Sequence, residues 1–258
     1  MGSVTDLLGG LPPFPATDFT EFGPVEIQPL SRYQKLTGGF LGRNWVAVPH
    51  VTHHDEIDVT DIEARRADWN RQHPDARVSM PVLVVKALVA ALRAFPHFNA
   101  SLTDDGSALV LKGYFNIGVA VDTPNGLLVP VIRGCDAKTL SEIARDLTYL
   151  AEKARGKGLS LAEMSGSSIS LSSLGHIGGT AFTPIIAAPD VAILGMVKAR
   201  EAPRRGEGDE LEWRTMLPLS LSYDHRVING ADGARFLRFL EGALNDPDLF
   251  GSAEGQET

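Results

Sequence analysis

Alternating apolar and small polar residues, followed by a helical pattern, mark the most informative part of this chain. Residues 216–222 alternate as in a half-buried strand. Between positions 234 and 244 apolar side chains recur at helical spacing, at Phe236, Leu237, Leu240 and Leu244. The pattern therefore predicts a strand and a helix joined by a short polar turn at 223–229, and strand ends of this kind commonly carry functional residues.

The same periodicities predict elements along the rest of the chain. Helical spacing and capping-box sequences at Thr60 and Thr139 predict helices over residues 31–41, 60–72, 82–95 and 139–154. Apolar runs predict strands over 49–58, 116–122, 127–132, 169–174 and 190–197, with Asn125–Gly126 as a hairpin turn. The charged, glycine-containing residues 199–212 are typical of an exposed hairpin loop. We therefore predict one mixed α/β domain over 25–258, preceded by an extended arm over 1–24.

Composition narrows the class of protein without identifying a function. The 258 residues are 43% hydrophobic and 22% charged, as in an ordinary soluble globular protein. No apolar run approaches the roughly 18–20 residues of a membrane helix. The net charge of −8 argues against nucleic acid, which is bound through a basic surface. The single cysteine, Cys135, excludes an internal disulfide and fits a reducing compartment. We expect neither a nucleic acid nor a membrane as partner.

Three histidines close together, His50, His53 and His54, raise the possibility of a metal site. On a strand, His50 and His54 face one side and His53 faces the other, so the three cannot easily reach one ion. A partly exposed polar strand is the favoured interpretation, and we expect no bound metal.

The polar turn after residue 222 holds the main candidate for chemistry. His225 lies between Asp224 and Arg226, and Asn229 follows four residues after the histidine. From this spacing alone, His225 fits a structural histidine and a functional one equally well.

The motif Asp224–Ala231 resembles the active-site motif of the dihydrolipoamide acyltransferases, the E2 catalytic cores of 2-oxo-acid dehydrogenase complexes. Chloramphenicol acetyltransferase carries a similar H-x-x-x-D-G motif on the same fold. Segments 44–52, 116–127, 172–179 and 189–195 resemble that family in the same order, and the likeness spans about residues 22–245. It implies an α/β, coenzyme A-dependent acyltransferase (chloramphenicol acetyltransferase-like) fold, with a mixed β-sheet flanked by helices. Residues 49–52 and 172–175 resemble most the acetyl branch, that of pyruvate dehydrogenase.

The resemblance implies acyl transfer between dihydrolipoamide and coenzyme A. A thiol with a pKa of about 8.5 is little ionised at neutral pH, so one histidine can act as the base, here His225. The resemblance gives Ser172 the role of stabilising the tetrahedral oxyanion. Ser172 as a nucleophile is the competing interpretation, less favoured because no G-x-S-x-G pattern surrounds it. Many family members have aspartate where this chain has Asn229, and an amide can orient neighbours only through hydrogen bonds.

Coenzyme A binding is implied at Arg66, Ser79, Asp122, Ser172 and Ser173. Arginine suits the phosphates of the cofactor because it binds them bidentately. Without the resemblance, Arg66 fits a solvated helix charge, Ser79 a helix cap and Asp122 a turn residue. The expected substrates are coenzyme A or acetyl-CoA and lipoamide, with the lipoyl group carried on a domain outside this chain.

The resemblance also implies an assembly. Family cores are homotrimers in which one chain supplies the histidine and its neighbour the serine, and trimers assemble further into a 24-subunit cube or a 60-subunit shell. Residues 1–24 resemble the linker to a peripheral-subunit-binding domain, and Met1-Gly-Ser resembles an expression start, so we expect an isolated core that meets E1 and E3 components through absent domains. The polar C-terminus, with Leu249–Phe250 as its last apolar residues, leaves open whether assembly stops at the trimer.

Two alternatives remain at this point: a catalytically weak scaffold subunit, or a core that transfers succinyl or branched-chain acyl groups. A detoxifying acyltransferase acting on a hydroxylated molecule fits the segments less well. The expected location is bacterial cytoplasm, or the mitochondrial matrix for a eukaryotic chain.

Overall fold

The computed structural model describes residues 15–250, apart from positions 125, 207 and 209. The first fourteen residues of the predicted arm, Asn125 of the predicted turn and the tail from residue 251 lie outside the described residues.

The described chain contains five α-helices and eleven strands. The helices are α1 (Arg32–Ala47), α2 (Thr60–Gln72), α3 (Met80–Ala94), α4 (Leu140–Arg155) and α5 (Gly230–Asn245). The strands are β1 (His50–Asp58), β2 (Ala100–Leu102), β3 (Leu109–Leu111), β4 (Ile117–Val119), β5 (Val121–Thr123), β6 (Gly126–Leu128), β7 (Val131–Ile132), β8 (Ile169–Ser173), β9 (Ala192–Met196), β10 (Arg200–Arg205) and β11 (Leu211–Asp224).

The main sheet is mixed, as predicted. Its strand order is β1-β11-β9-β8-β4-β7, and β10 pairs with the first part of β11. Strands β4, β8 and β9 run parallel to one another, whereas β11 is antiparallel to β9. Two small ribbons, β2–β3 and β5–β6, lie beside it. The carboxyl ends of β8 and β9 therefore share one edge of the sheet, and the carboxyl end of β11 lies at the opposite edge.

Helices cover one face of this sheet. Helix α3 is apolar on nearly all sides, as its sequence predicts, and nine of its fifteen residues are buried. It packs against α4, α5 and β8, and the fully buried strand residues Leu194 and Leu221 belong to the same hydrophobic cluster. Burial of each such leucine contributes about 2 kcal/mol, so this layer is the main hydrophobic core.

The opposite face of the sheet is polar because side chains alternate along a strand. Thr52 Oγ1 lies 2.8 Å from Ser222 Oγ, and His54 Nδ1 lies 2.9 Å from Ser220 Oγ. The segment 180–187, which we call the strap, crosses this face. Its Phe182 ring lies against Gly195, where an added Cβ would approach the ring to 2.7 Å. Only glycine at position 195 leaves room for the strap.

The two predicted capping boxes have different outcomes. The Thr139 box is confirmed, with Thr139 Oγ1 accepting from Glu142 N–H and the Glu142 carboxylate accepting from Thr139 N–H. The Thr60 box is wrong, since Thr60 is already inside α2. Its hydroxyl donates to the Asp58 carboxylate and accepts from Thr215 N–H, because β11 runs alongside the helix start.

Residues 199–212 differ from the predicted loop. Strand β10 pairs with β11 from Arg200 opposite Met216 to Arg205 opposite Leu211, forming a long ribbon. Ion pairs from Arg200 and Arg204 to Glu56 tie this charged ribbon to β1. Charge and glycine thus indicated exposure correctly but hid the strand pairing. No helix among the described residues is long and apolar enough to cross a membrane.

Candidate functional site

The turn that carries His225 is held by its backbone. The N–H of Asp224 donates to Val191 O at 2.8 Å, and the N–H of His225 donates to Pro49 O at 3.1 Å. The N–H groups of Val227 and Ile228 both donate to Asp224 O at 3.0 Å. The backbone of the turn is therefore held by hydrogen bonds to the residues before β9 and β1 and within the turn itself, whereas the His225 side chain is exposed.

The carboxylate of Asp224 is buried and serves Arg226 rather than His225. It accepts hydrogen bonds from the backbone N–H of Arg226 at 3.0 Å, from Nε at 2.9 Å and from Nη2 at 2.6 Å. Because both carboxylate oxygens are engaged, Asp224 acts as a brace for the turn and not as a partner of the imidazole.

Helix α5 starts directly after this turn, with Asn229 at its N-cap. The backbone oxygen of Asn229 accepts from the N–H groups of Asp232 and Gly233, but its exposed side chain makes no capping bond. A Cβ at Gly233 would lie 2.8 Å from the Tyr223 ring, so glycine lets the helix approach β11 closely. The amide of Asn229 is thus free to orient another group beside His225.

Ser172 and Ser173 occupy the carboxyl end of β8. Leu171 belongs to the helix-covered core, so alternation places Ser173 on the helix-covered face and Ser172 on the polar face. Ser172 lies opposite Gly195, next to the Phe182 ring of the strap. The two adjacent serines therefore serve different faces of the sheet.

Ser173 lines a cavity of about 320 Å³. Other lining residues include Glu63, Met80, Pro81, His176 and Lys198. This cavity adjoins the start of α3, and Ser173 is the predicted coenzyme A ligand that lines it; Ser79 precedes the lining residue Met80, and Arg66 pairs with the lining residue Glu63.

Arg66 is engaged within the chain. Its Nε and Nη2 donate to the Glu63 carboxylate at 3.0 and 2.6 Å, and Nη1 donates to Val78 O at 3.3 Å. Both members of the ion pair are 28% exposed, so a phosphate could still approach the guanidinium. Ser79 is the N-cap of α3, but its exposed side chain makes no capping bond.

Asp122 reaches the same edge of the sheet from another element. It is exposed on β5, opposite Leu127 of β6. The N–H of Ala120 donates to Leu171 O at 2.8 Å, which holds this ribbon next to the carboxyl end of β8. Asp122, Ser172 and Ser173 therefore lie towards the edge where β8 ends, and Arg66 and Ser79 are neighbours of residues that line the cavity there.

One chain does not bring His225 and Ser172 together. Ser172 lies opposite Gly195, and Gly195 lies opposite Ser220 of β11. His225 follows Ser220 by five residues. With about 3.3 Å per residue along a strand and about 4.8 Å between strands, the two Cα atoms are roughly 19 Å apart. They occupy opposite edges of one sheet.

The histidines of β1 have structural partners. His50 Nδ1 lies 2.8 Å from Val48 O, and Nε2 accepts from Ile186 N–H at 3.0 Å. His50 and His54 face the polar side and His53 the other, as alternation predicted. Across the described ranges, no group of three or more His, Cys, Asp or Glu residues could hold a metal ion. His50 contacts the strap through Ile186, whereas His54 contacts Ser220 of β11.

Sequence reasoning missed one buried charged pair near the His225 turn. Lys112 and Asp190 are only 5% and 1% exposed, with Nζ and Oδ1 3.4 Å apart. Burial raises the pKa of Asp190, although the Lys112 charge and two serine hydroxyls oppose that shift. Because 78 residues separate the two, no local pattern could have predicted the contact.

A family model and several known proteins match most of this chain. The family model described as "2-oxoacid dehydrogenases acyltransferase (catalytic domain)" matches residues 23–251. The dihydrolipoyllysine-residue acetyltransferase component of the pyruvate dehydrogenase complex from Cupriavidus necator is 52% identical over 92% of this chain and 43% of its own length. The corresponding component from Pseudomonas aeruginosa is 50% identical over 92% of this chain and 44% of its own. The chain thus spans less than half the length of these relatives.

Solved structures agree with that match. The Azotobacter vinelandii dihydrolipoamide acetyltransferase, whose serine, histidine and asparagine were studied for their catalytic roles, is 46% identical with a TM-score of 0.89, covering 93% of this chain and 99% of that one. A cubic core of the pyruvate dehydrogenase multienzyme complex has 47% identity, the same TM-score and the same coverage. A chloramphenicol acetyltransferase, 18% identical with a TM-score of 0.53 over 76% of this chain and 89% of that one, confirms the predicted fold class.

Proposed function

We propose a function from one premise: the chain belongs to the family of 2-oxoacid dehydrogenase acyltransferase catalytic domains. The proposed reaction is transfer of an acetyl group between dihydrolipoamide and coenzyme A. The observation that carries it is the exposed His225 turn, held by backbone bonds beside an uncommitted Asn229. Identities of 48–52% to acetyltransferase components favour the acetyl group over succinyl or branched-chain groups.

His225 acts as general base in the proposed mechanism. Its neutral imidazole takes the proton from the coenzyme A thiol as the sulfur attacks the thioester carbon of acetyl-dihydrolipoamide. The carbonyl electron pair moves onto oxygen, where the Ser172 hydroxyl donates a hydrogen bond. Collapse of this intermediate breaks the bond to the lipoyl sulfur, which receives the proton from the imidazolium. The products are acetyl-CoA and dihydrolipoamide, and the histidine is neutral again.

Asn229 orients groups beside His225 by hydrogen bonding. Its exposed amide is not used for capping α5, so both donor and acceptor are available. The histidine and asparagine examined in the Azotobacter vinelandii enzyme are four residues apart, as His225 and Asn229 are.

The active site is completed by a second copy of the chain. The separation of His225 from Ser172 supports this, since the two residues of one chain are too far apart to act on the same thioester. Exposed apolar side chains support it too: Phe22, Ile27 and Trp45, on α1 and the segment before it, are 78%, 89% and 60% exposed. We propose a homotrimer, assembled further into a 24-subunit cube like the related cubic core, with a 60-subunit shell as the alternative.

Coenzyme A is proposed to bind at the edge where β8 ends. Ser173 lines the 320 Å³ cavity, Ser79 and Arg66 are neighbours of residues that line it, and Asp122 and Ser172 lie on the adjacent strands. Arg66 would share its charge between Glu63 and a phosphate of the cofactor.

The remaining proposals concern context. Residues 25–258 form the catalytic domain and residues 1–24 an arm that links it to other parts of the complex. Through such parts, the core would meet the E1 and E3 components and a lipoyl group. A bacterial cytoplasmic location is proposed because the related components come from bacteria.

The test measures acetyl transfer from acetyl-CoA to dihydrolipoamide, with succinyl-CoA and isobutyryl-CoA as competing donors. Acetyl-CoA is expected to give the highest kcat/KM. Preference for another donor would overturn the assignment of the acyl group. A chain that assembles but transfers no acyl group would overturn the enzymatic proposal and leave a scaffold. Solution mass tests the assembly separately, because a monomer contradicts the shared site.

A further inference from the structure

We infer that the buried Lys112–Asp190 ion pair positions the turn that carries His225. Both are thus positioning residues for the proposed acetyl transfer, although neither touches substrate. The inference rests on the proposed function for its kinetic consequence only. Its structural consequence, a fixed turn at residues 224–228, holds whatever reaction the site performs.

Both members of the pair have further hydrogen-bond partners. Lys112 Nζ lies 3.4 Å from Asp190 Oδ1 and donates to Ser167 O at 2.9 Å. The hydroxyls of Ser167 and Ser170 donate to Asp190 Oδ2 at 2.7 and 3.2 Å. The two charges therefore join three separate parts of the chain: the end of β3, the start of β8 and the segment before β9.

Stability alone does not account for such a pair. Removing two charges from water costs several kcal/mol per ion, and well-packed apolar residues often serve stability equally well. Burial raises the pKa of Asp190, while the Lys112 charge and the two serine hydroxyls oppose that shift. What the network adds is a single allowed position for the backbone around Asp190.

That backbone leads directly to His225. The N–H of Asp190 donates to Ala187 O at 3.1 Å, and Ser101 Oγ donates to Pro189 O at 2.7 Å. The next residue, Val191, accepts the 2.8 Å hydrogen bond from the N–H of Asp224. Asp190 is thus connected to the turn through the next residue, Val191, and the hydrogen bond that Val191 accepts from Asp224.

The two segments also share a cavity. The lining of a space of about 320 Å³ includes Asp190 and Val191 from one segment and Asp224 and Arg226 from the other. Empty volume beside the turn offers room for it to shift when the opposite wall moves. The ion pair restrains that wall, and the Val191–Asp224 hydrogen bond passes the restraint to His225.

The experiment compares Lys112→Met and Asp190→Asn with wild type in the assembled full chain. Lys153→Met is the matched control, since it breaks the 2.5 Å Lys153–Glu163 pair on the surface. Hydrogen exchange is followed in peptides covering residues 222–229 and, as an internal reference, 215–221. Acetyl-transfer kinetics and thermal unfolding are measured on the same samples.

We expect exchange over 222–229 to accelerate roughly tenfold in both variants while 215–221 stays unchanged. A displaced histidine should lower kcat roughly tenfold and leave KM for coenzyme A within about twofold. Lys153→Met should change neither exchange over 222–229 nor kcat.

Unchanged exchange over 222–229 overturns the inference, even if the melting temperature falls. Unchanged kcat with faster exchange shows a turn that is restrained without consequence for catalysis, and this overturns the positioning role. If wild type transfers no acetyl group, the proposed function fails, but the exchange readout still decides whether the pair fixes the turn. If Lys112→Met does not fold, Ser167→Ala removes one hydrogen bond to Asp190 and should show the same pattern at about threefold.

Discussion

The two edges of the main sheet are built differently. At the edge where β11 ends, the His225 turn is fixed by hydrogen bonds from the backbone N–H groups of Asp224, His225 and Val227. At the edge where β8 ends, a glycine-containing loop follows Ser173, with Gly178 and Gly179 at φ values of 134° and 96°. Backbone N–H groups also donate within this loop, from Ile177 and Gly178 to Leu174 O, but the half-buried Ser173 borders a cavity of about 320 Å³.

This difference fits a division of work. A general base must be held in one orientation, and the cost of a small displacement is high. A binding edge must admit a long, charged cofactor, and it needs open space with polar side chains around it. The buried Asp224 carboxylate also binds Arg226 within the histidine turn, so we regard the histidine edge as the rigid half of the proposed site and the serine edge, with its cavity, as the half that receives substrate.

The largest expected effect comes from removing the imidazole of His225. His225→Ala should lower kcat for acetyl transfer by about 10³-fold, because the thiol loses its base. His97→Ala removes an exposed histidine that is distant from His225 in sequence; it serves as the control and should retain wild-type rates. Activity of His225→Ala within tenfold of wild type would contradict the assignment of the base.

Ser172→Ala should lower kcat by about 10²-fold, through loss of one hydrogen bond to the oxyanion. Ser173→Ala is the matched control on the other face of the sheet, and it should raise KM for coenzyme A with little change in kcat. A reversed pattern would show that Ser173, rather than Ser172, faces the reacting atoms.

A mixture of the two inactive variants tests whether the edges meet across chains. In trimers assembled from equal amounts of His225→Ala and Ser172→Ala, about one quarter of the interfaces pair an intact histidine with an intact serine. Activity should therefore return to about a quarter of the wild-type value. Mixed trimers that stay as inactive as the separate variants would place both residues in one chain's site and contradict the shared-site proposal.

Much of this comparison could be predicted from the sequence, for identifiable reasons. Helix α3 and the alternation in β11 followed from apolar spacing, because local burial fixes both. The His225 turn followed from its polar cluster between strand and helix. Local patterns could not give strand pairing, so the β10 ribbon was predicted as a loop, and Thr60 was predicted to cap a helix that already includes it.

The positions of the site residues depended even more on long-range contacts. Strand register placed Ser172 and His225 on opposite edges, and it depends on pairings across the whole sheet. The contact of Lys112 with Asp190 and the packing of Phe182 on Gly195 also join distant segments. Motifs named the residues, whereas the fold determined which of them can meet.

A smaller effect is expected at the receiving edge. Arg66→Met should raise KM for coenzyme A about tenfold, because one phosphate loses a charged partner, while kcat stays within about twofold. Arg71→Met, which removes the other ion-paired arginine of α2, is the control because its Asp68 pair lies on the exposed surface. Equal KM values for the two variants would show that Arg66 does not bind the cofactor.

The smallest expected effect is that of Glu163→Gln, a substitution outside the proposed site. Hydrogen bonds from Lys153 and from Ser160 lower the pKa of Glu163 from 4.5 to about 2. Because the folded pKa lies below the unfolded one, the carboxylate stabilises the fold above about pH 4.5. That contribution is lost as the pH falls towards 2. Glu163→Gln should therefore lower the melting temperature by about 1–2 °C at pH 7, and this difference should shrink between pH 4.5 and 2. The acetyl-transfer rate at pH 7 should not change. A change in that rate would mean that α4 is coupled to one of the edges, and the contrast between rigid and receiving halves would then extend beyond the sheet.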